Sequence, residues 1–270
     1  IEVGRGDIRS NRLLVMDPGG QPIDLPGTET VEPTFGLPAM WVDPDNREEA
    51  MFKGYTVVDP STVVTTHITE VIRDNMPELL SYTETQKLLD ELPSQHQKLV
   101  GDVVPTMIAV GGVQRVLQNL LGERVSIRDL PTILEGVSEA CAFTRNVTQL
   151  TEHVRVRLAR QISEQNASPD GSIPLVTMSP DWEQTFAESI IGQGDDRQLS
   201  MPPSLLQQFI SNVRTAMDQF GQAGEAPVML TSPAARPFVR SIIERFRPQT
   251  VIMSQNEIHP KAKIRTLGQI

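Results

Sequence analysis

Histidine, cysteine, serine and carboxylate side chains are the groups in this chain that could do chemistry, and their spacing does not assemble them. His67, His96, His153 and His259 stand apart, with no HExxH or other tight pair at metal-ligating spacing. Cys141 is the one thiol, so a thiolate zinc cluster is excluded, as is an internal disulfide framework. Its neighbours Ala140, Ala142 and Phe143 predict a buried, inert thiol in a reducing compartment. In that compartment the glycosylation-like triplet Asn146-Val147-Thr148 has no meaning. Ser232, in Leu230-Thr231-Ser232-Pro233, sits between an expected strand and an expected helix, where a nucleophile elbow would be, but the glycines of GxSxG are missing. An α/β-hydrolase-like enzyme is therefore a weak alternative, and no catalytic activity is expected. Gly19-Gly20 and Gly111-Gly112 are isolated pairs read as turns. With no phosphate loop and no GxGxxG after a strand, no cofactor is expected either. The adjacent pairs Glu48-Glu49 and Asp195-Asp196 do not share a helix face and read as solvated.

The formal charge is −10, which argues against nucleic acid as a partner, because phosphate binding needs clustered cations. That charge is uneven. Residues 200–270 hold 8 Lys+Arg against 4 Asp+Glu, and residues 1–199 hold 16 against 30. The acidic part is suited to solubility or to steering a basic partner. At 270 residues, two to four packed units are expected. No run of about 18 apolar residues could form a bilayer-spanning helix. The chain opens directly on Ile1-Glu2-Val3 with no secretory signal, as an excised piece of something longer would.

The elements that must position these groups fall into an α+β, multi-subdomain pattern. Residues 1–58 read as a β-rich lobe: Arg12-Leu13-Leu14-Val15-Met16 before the turn Asp17-Pro18-Gly19-Gly20, the apolar stretch 37–42, a short helix over 47–53 stopped by Gly54, and a strand over 55–58. Residues 59–124 read as helical. Asp59 caps the first helix with Pro60 at its first position, and Val63, Val64, His67, Ile68, Val71 and Ile72 share one face. His67 on that face reads as a packed histidine. Met76-Pro77 breaks the helix; a second covers 83–92 up to Pro93, an extended link covers 103–105, and Val113, Val116, Leu117, Leu120 and Leu121 mark another helix closed by Gly122. Residues 125–165 read as all-helical: a helix capped by Asp129, then one long helix on Leu150, Val154, Leu158 and Ile162, with Arg155, Arg157 and Arg160 on its solvated side. A turn-rich linker over 166–172 leads into a small α/β subdomain ending the span 166–270. It has strands near 175–178, 227–230, 251–253 and 262–266 and helices over 205–220 and 238–246, a pattern for a parallel or mixed sheet.

One feature is unusual for a connection. Residues 75–82, Asn75-Met76-Pro77-Glu78-Leu79-Leu80-Ser81-Tyr82, put large apolar side chains between two amphipathic helices. They either plug the core or line an apolar groove for a partner helix.

Three ordered stretches carry a resemblance: Phe35-Gly36-Leu37-Pro38-Ala39-Met40-Trp41-Val42; residues 54–64 with Thr66-His67; and Val113-Gln114-Arg115-Val116-Leu117-Gln118-Asn119-Leu120-Leu121 running into Val125-Ser126-Ile127-Arg128-Asp129-Leu130 and Thr132-Ile133-Leu134-Glu135. Leu150-Thr151-Glu152-His153-Val154-Arg155 and the closing Ser254-Gln255-Asn256-Glu257-Ile258 extend it over essentially the whole chain. The chain resembles the cytoplasmic region of the flagellar type III export-gate family, whose virulence-secretion paralogues share much of the pattern. Glu32-Pro33 and Asn256-Glu257-Ile258 tilt it to the flagellar branch. The resemblance implies a parent at the bacterial inner membrane with its transmembrane half missing here, a family region that begins before Ile1, and a cytoplasmic ring of nine copies. That ring would meet export chaperones carrying late substrates, the export ATPase complex through its stalk subunit, and other export-gate subunits. The family's chaperone dimple, between subdomains, falls on Pro77, Glu78, Leu80 and Gly111. Leu80 stands where some members carry Phe, Gly111 where a hydroxyl residue can occur, and Pro131 where an ordinary helix former is usual, so a smaller, flatter dimple is implied.

Overall fold

The computed structural model describes residues 7–270, in two compact units, Ile1–Leu79 and Leu80–Ile270. In the first unit, β1 (Leu13–Met16), β2 (Gly27–Val31), β3 (Pro38–Val42) and β4 (Thr56–Val58) form an antiparallel sheet in the order β2-β3-β1-β4. Leu14 pairs with Trp41 and Val15 with Met40. Alternation along β1 sends Leu13 and Val15, with Met40, Val42 and Ala50, into one small core. Leu14, with Ala39, Trp41 and Val63, goes into another on the opposite face. Both faces are covered, by α1 (Arg47–Phe52) and α2 (Pro60–Asp74) respectively, which is why β1 and β3 read as continuous apolar runs instead of alternating ones. The α2 start is as expected: Asp59 accepts from the Thr62 N–H at 3.0 Å, with Pro60 next. The α2 apolar face is only half used, however. Val63 and His67 are buried, whereas Val64, Ile68 and Ile72 are exposed. Helix α2 ends at Asp74, and Met76-Pro77 opens a single further turn, α3 (Met76–Leu79). The strand β2 follows no apolar run; its exposed residues Gly27, Thr28 and Glu29 form an edge.

The second unit begins with α4 (Tyr82–Asp90), capped by Ser81, whose hydroxyl accepts from the Glu84 N–H at 3.1 Å. Pro93 stops this helix and also introduces α5 (Ser94–Val103), which the polar run Ser94-Gln95-His96-Gln97 hides from a periodicity reading. Then come α6 (Val110–Gly122) and α7 (Leu130–Ala140), the latter capped by Asp129. The single helix expected on Leu150, Val154, Leu158 and Ile162 is two helices, α8 (Val147–Arg157) and α9 (Ala159–Gln165), interrupted at Leu158. Leu150, Val154, Leu158 and Ile162 are all buried even so.

The chain then builds a wholly parallel sheet from β5 (Ser172–Thr177), β8 (Val228–Thr231), β9 (Ile252–Ser254) and β10 (Lys263–Gln269), ordered β10-β5-β8-β9. Between β5 and β8 lie α10 (Pro180–Ser189), the two-residue strands β6 (Ile190–Ile191) and β7 (Gln198–Leu199), and α11 (Pro203–Gln222); α12 (Arg236–Ile243) links β8 to β9. Phe209 of α11 packs edge-on against Trp182 and Phe186 of α10, with ring centroids 5.1 and 5.0 Å away. The fold is thus α+β with several subdomain-like parts.

Candidate functional site

Cys141 is buried and free, as expected. Ser232 donates its backbone N–H to Glu183 Oε1 at 2.8 Å, an interaction that anchors the turn after β8. His153 faces Glu139 at 2.9 Å near the surface. Among the described residues, no group of three or more His, Cys, Asp or Glu could hold a metal ion. No helix there is long and apolar enough to cross a membrane.

The four residues named for docking divide between the two units. Pro77 and Glu78 belong to the α3 turn of the first, and Leu80 and Gly111 to the second. Leu80 is 8% exposed, while Leu79 before it is half exposed. The Leu80 carbonyl accepts from Gln114 Nε2 at 2.9 Å and Gln118 Nε2 at 3.1 Å, so two α6 side chains fix the start of the second unit. A carboxylate at position 80 would lose its hydration, and Leu80→Asp would therefore test folding as well as docking. Gly111 is the second residue of α6, and a Cβ there would meet nothing within 4 Å, so the position can accept a larger side chain. In the first unit, Val64, Ile68 and Ile72 recur every four residues and form an exposed apolar stripe along α2, the helix that leads into Pro77 and Glu78.

Arg155 overturns the sequence reading of a solvated side. It is 1% exposed, and its Nε donates to Glu257 Oε1 at 2.5 Å. Arg157 and Arg160 do lie toward solvent. Arg236 is also fully buried: it holds Glu123 at 2.8 Å and Glu152 at 2.6 Å on one guanidinium, while Arg155 Nη1 reaches Glu123 at 3.3 Å. Glu257 closes the cluster by accepting from the Ser254 backbone N–H at 2.8 Å. Burial opposes ionisation of Glu123, but the charges of Arg236 and Arg155 outweigh it and hold its carboxyl down at about 2. Burial pushes Glu152 the other way, up, against the pull of Arg236. The partners are 84 to 113 residues apart in sequence, so no local spacing could have disclosed them. This arrangement joins α6, α8 and α12 to the end of β9.

The FHIPEP family model matches residues 1–263. The chain belongs to the FHIPEP family. Among FHIPEP relatives, the flagellar biosynthesis protein FlhA of Caulobacter vibrioides is 59% identical over 270 residues, covering all of this chain and 39% of that protein. The chain thus spans about two-fifths of the length of the curated relatives it matches. Among solved structures, the Chlamydia pneumoniae CdsV protein aligns with a TM-score of 0.85 at 25% identity, covering 98% of this chain and 76% of that one. CdsV has also been solved in a complex with CdsO, where it aligns with a TM-score of 0.75 over 86% of this chain and 68% of that one. The nonameric EPEC SctV-C shares the fold with a TM-score of 0.76 at 22% identity, covering 97% of this chain and 79% of that one.

Proposed function

We propose that this chain is a non-enzymatic docking part of a flagellar type III export gate. It would sit on the cytoplasmic face of the inner membrane, assemble with copies of itself into a ring, and receive export chaperones with late substrates and the stalk of the export ATPase complex. One observation carries the docking reading. Val64, Ile68 and Ile72 leave an apolar helical stripe in solvent, while Val63 and His67 of the same helix are packed. A partner segment laying apolar anchors on such a stripe gains roughly 1.5–3 kcal/mol per anchor buried. A few anchors then give the micromolar, reversible binding that suits a station that must release its cargo. Pro77, Glu78, Leu80 and Gly111 are the further residues assigned to this docking role. The four-part division at residues 58, 124 and 165 belongs to the same proposal.

The test is calorimetric titration with a flagellar export chaperone of the same organism, free and substrate-loaded. Saturable binding that Ile68→Asp or Gly111→Trp abolishes, with melting temperatures unchanged, is the expected result. Binding indifferent to both substitutions removes these residues from the site, and no binding of either chaperone form removes the docking role.

A further inference from the structure

A ring of nine copies, part of the reading above on which this inference rests, cannot be built from a self-complementary contact. Such a contact joins two copies and stops, so each copy must present two different surfaces that fit one another head to tail. The structure carries a candidate for each.

The first is the tip between β2 and β3. Glu32 is buried, and its carboxylate accepts from the backbone N–H groups of Thr34 at 2.9 Å and Phe35 at 2.7 Å. Its backbone accepts from the Gly36 N–H at 3.0 Å and donates to the Leu37 carbonyl at 2.9 Å. Gly36 takes a φ of 69°, a conformation that favours glycine. This loop is therefore held by four hydrogen bonds while Phe35, 64% exposed, points to solvent with Val31 and Leu37 exposed beside it. An aromatic residue already fixed in place loses little freedom on binding, which is what an interface anchor requires.

The second surface is a groove of about 630 Å³ in the Leu80–Ile270 unit. Pro233 and Ala234 in the turn before α12 and Pro237 and Phe238 in its first turn, with Phe143 and Val156, form its apolar part, beside a polar wall that includes Glu152, His153, Asp195 and Arg197. The ring of Phe143 is exposed and stands edge-on to His153 at 5.7 Å. Burying one phenylalanine removes about 150–250 Å² from water.

We propose that Phe35 of one copy seats in the Phe143–Phe238 groove of the next, forming one contact of a head-to-tail ring. At the level of whole segments charge favours this pairing: residues 1–79, which carry the knob, hold 6 Lys+Arg against 14 Asp+Glu, a net −8, whereas residues 200–270, which supply α12, are net +4, and Arg197 on the groove wall, beside Glu152 and Asp195, is the cation that would face the acidic knob. Phe52, 91% exposed at the end of α1, is the control: it is as apolar and more exposed, but no side-chain carboxylate holds its backbone.

The test uses two single-cysteine chains in a Cys141→Ala background, one Leu37→Cys, which keeps Phe35 in place, and one Ala234→Cys, distinguishable by mass, mixed at high concentration and treated with a short bismaleimide. The proposal expects the mixed product to dominate over either same-variant product and over a Phe52→Cys with Ala234→Cys pair. It also expects Phe35→Asp to weaken self-association at least tenfold in sedimentation with its melting temperature unchanged. If the wild-type chain self-associates but the mixed product stays at the control level, this contact is wrong and the ring reading stands. If the wild-type chain stays monomeric at every concentration and no cross-link forms, the ring reading falls with it.

Discussion

Arg155 and Glu257 lie 102 residues apart in sequence and meet at 2.5 Å, with neither side chain reaching solvent. A pair like this contributes little when both partners are present but costs heavily when one is removed, because the other charge is left stranded in a low-dielectric interior. Glu257→Leu should therefore lower unfolding stability by about 3–5 kcal/mol. Adding Arg155→Met to it should recover part of that loss, since the second change removes a buried charge left with Glu123, at 3.3 Å, as its remaining partner. Urea unfolding of the two single variants and the double variant checks both statements. Additive losses would mean that the pair is not coupled.

The same cluster sets the acid limit. In the fold the Glu123 carboxyl is held down at about 2, against an ordinary 4.5. Its stabilising contribution is thus complete above pH 4.5 and is lost as pH falls from there towards 2, amounting to at most about 3 kcal/mol. Glu152 is shifted upward, so its contribution runs in the opposite direction and offsets part of the slope. Wild-type stability should fall between pH 4.5 and 2.5, and Glu123→Gln should start lower and fall less steeply. Urea midpoints measured across that range decide it.

Gly136 lets α7 approach α8 closely. A Cβ there would sit 3.2 Å from Val154 Cγ2 and 3.3 Å from the Val154 Cα. The Cα cannot move aside without shifting the helix. Gly136→Val should accordingly destabilise the chain by about 1–3 kcal/mol, read as a lowered thermal midpoint; an unchanged midpoint would show that the helices can separate at no cost.

Cys141 should resist a water-soluble thiol reagent in the native state and react fully once urea unfolds the chain, since the thiol is buried. Fast native labelling would mean that the end of α7 opens readily.

Much of the fold was legible locally because its signals are local. Asp59 with Pro60, and Asp129 before Leu130, mark helix starts by capping chemistry that needs only three or four neighbouring residues. Gly54, with a φ of 79°, ends α1 for a similarly local reason. The helix α5 was hidden because Ser94 to Gln97 interrupt its apolar repeat, and β2 because an edge strand has little to bury. Leu158 shows the limit of periodicity. A four-residue repeat carried through it correctly named the buried residues but not the interruption, since α8 and α9 keep their apolar faces toward the same core. Arg155 and Arg236 were illegible for a different reason: an arginine becomes a core residue only through partners brought in by the tertiary fold. The exposed stripe on α2 was half legible, because the helical repeat shows which residues share a face but not how much of that face the sheet covers.

The strand order β10-β5-β8-β9 bears on the timing of synthesis. The first strand made, β5, becomes an inner strand only when the last, β10, pairs along its outer side, and the Ile270 N–H then donates to the Thr177 carbonyl at 2.9 Å. A nascent chain emerging from the ribosome would hold β5, β8 and β9 with one flank of β5 unsatisfied until residues 263–270 had also emerged, and Arg155 would wait almost as long for Glu257. Completion of this subdomain therefore waits for residues 263–270, and a chain lacking them would leave an open strand edge for another polypeptide to occupy.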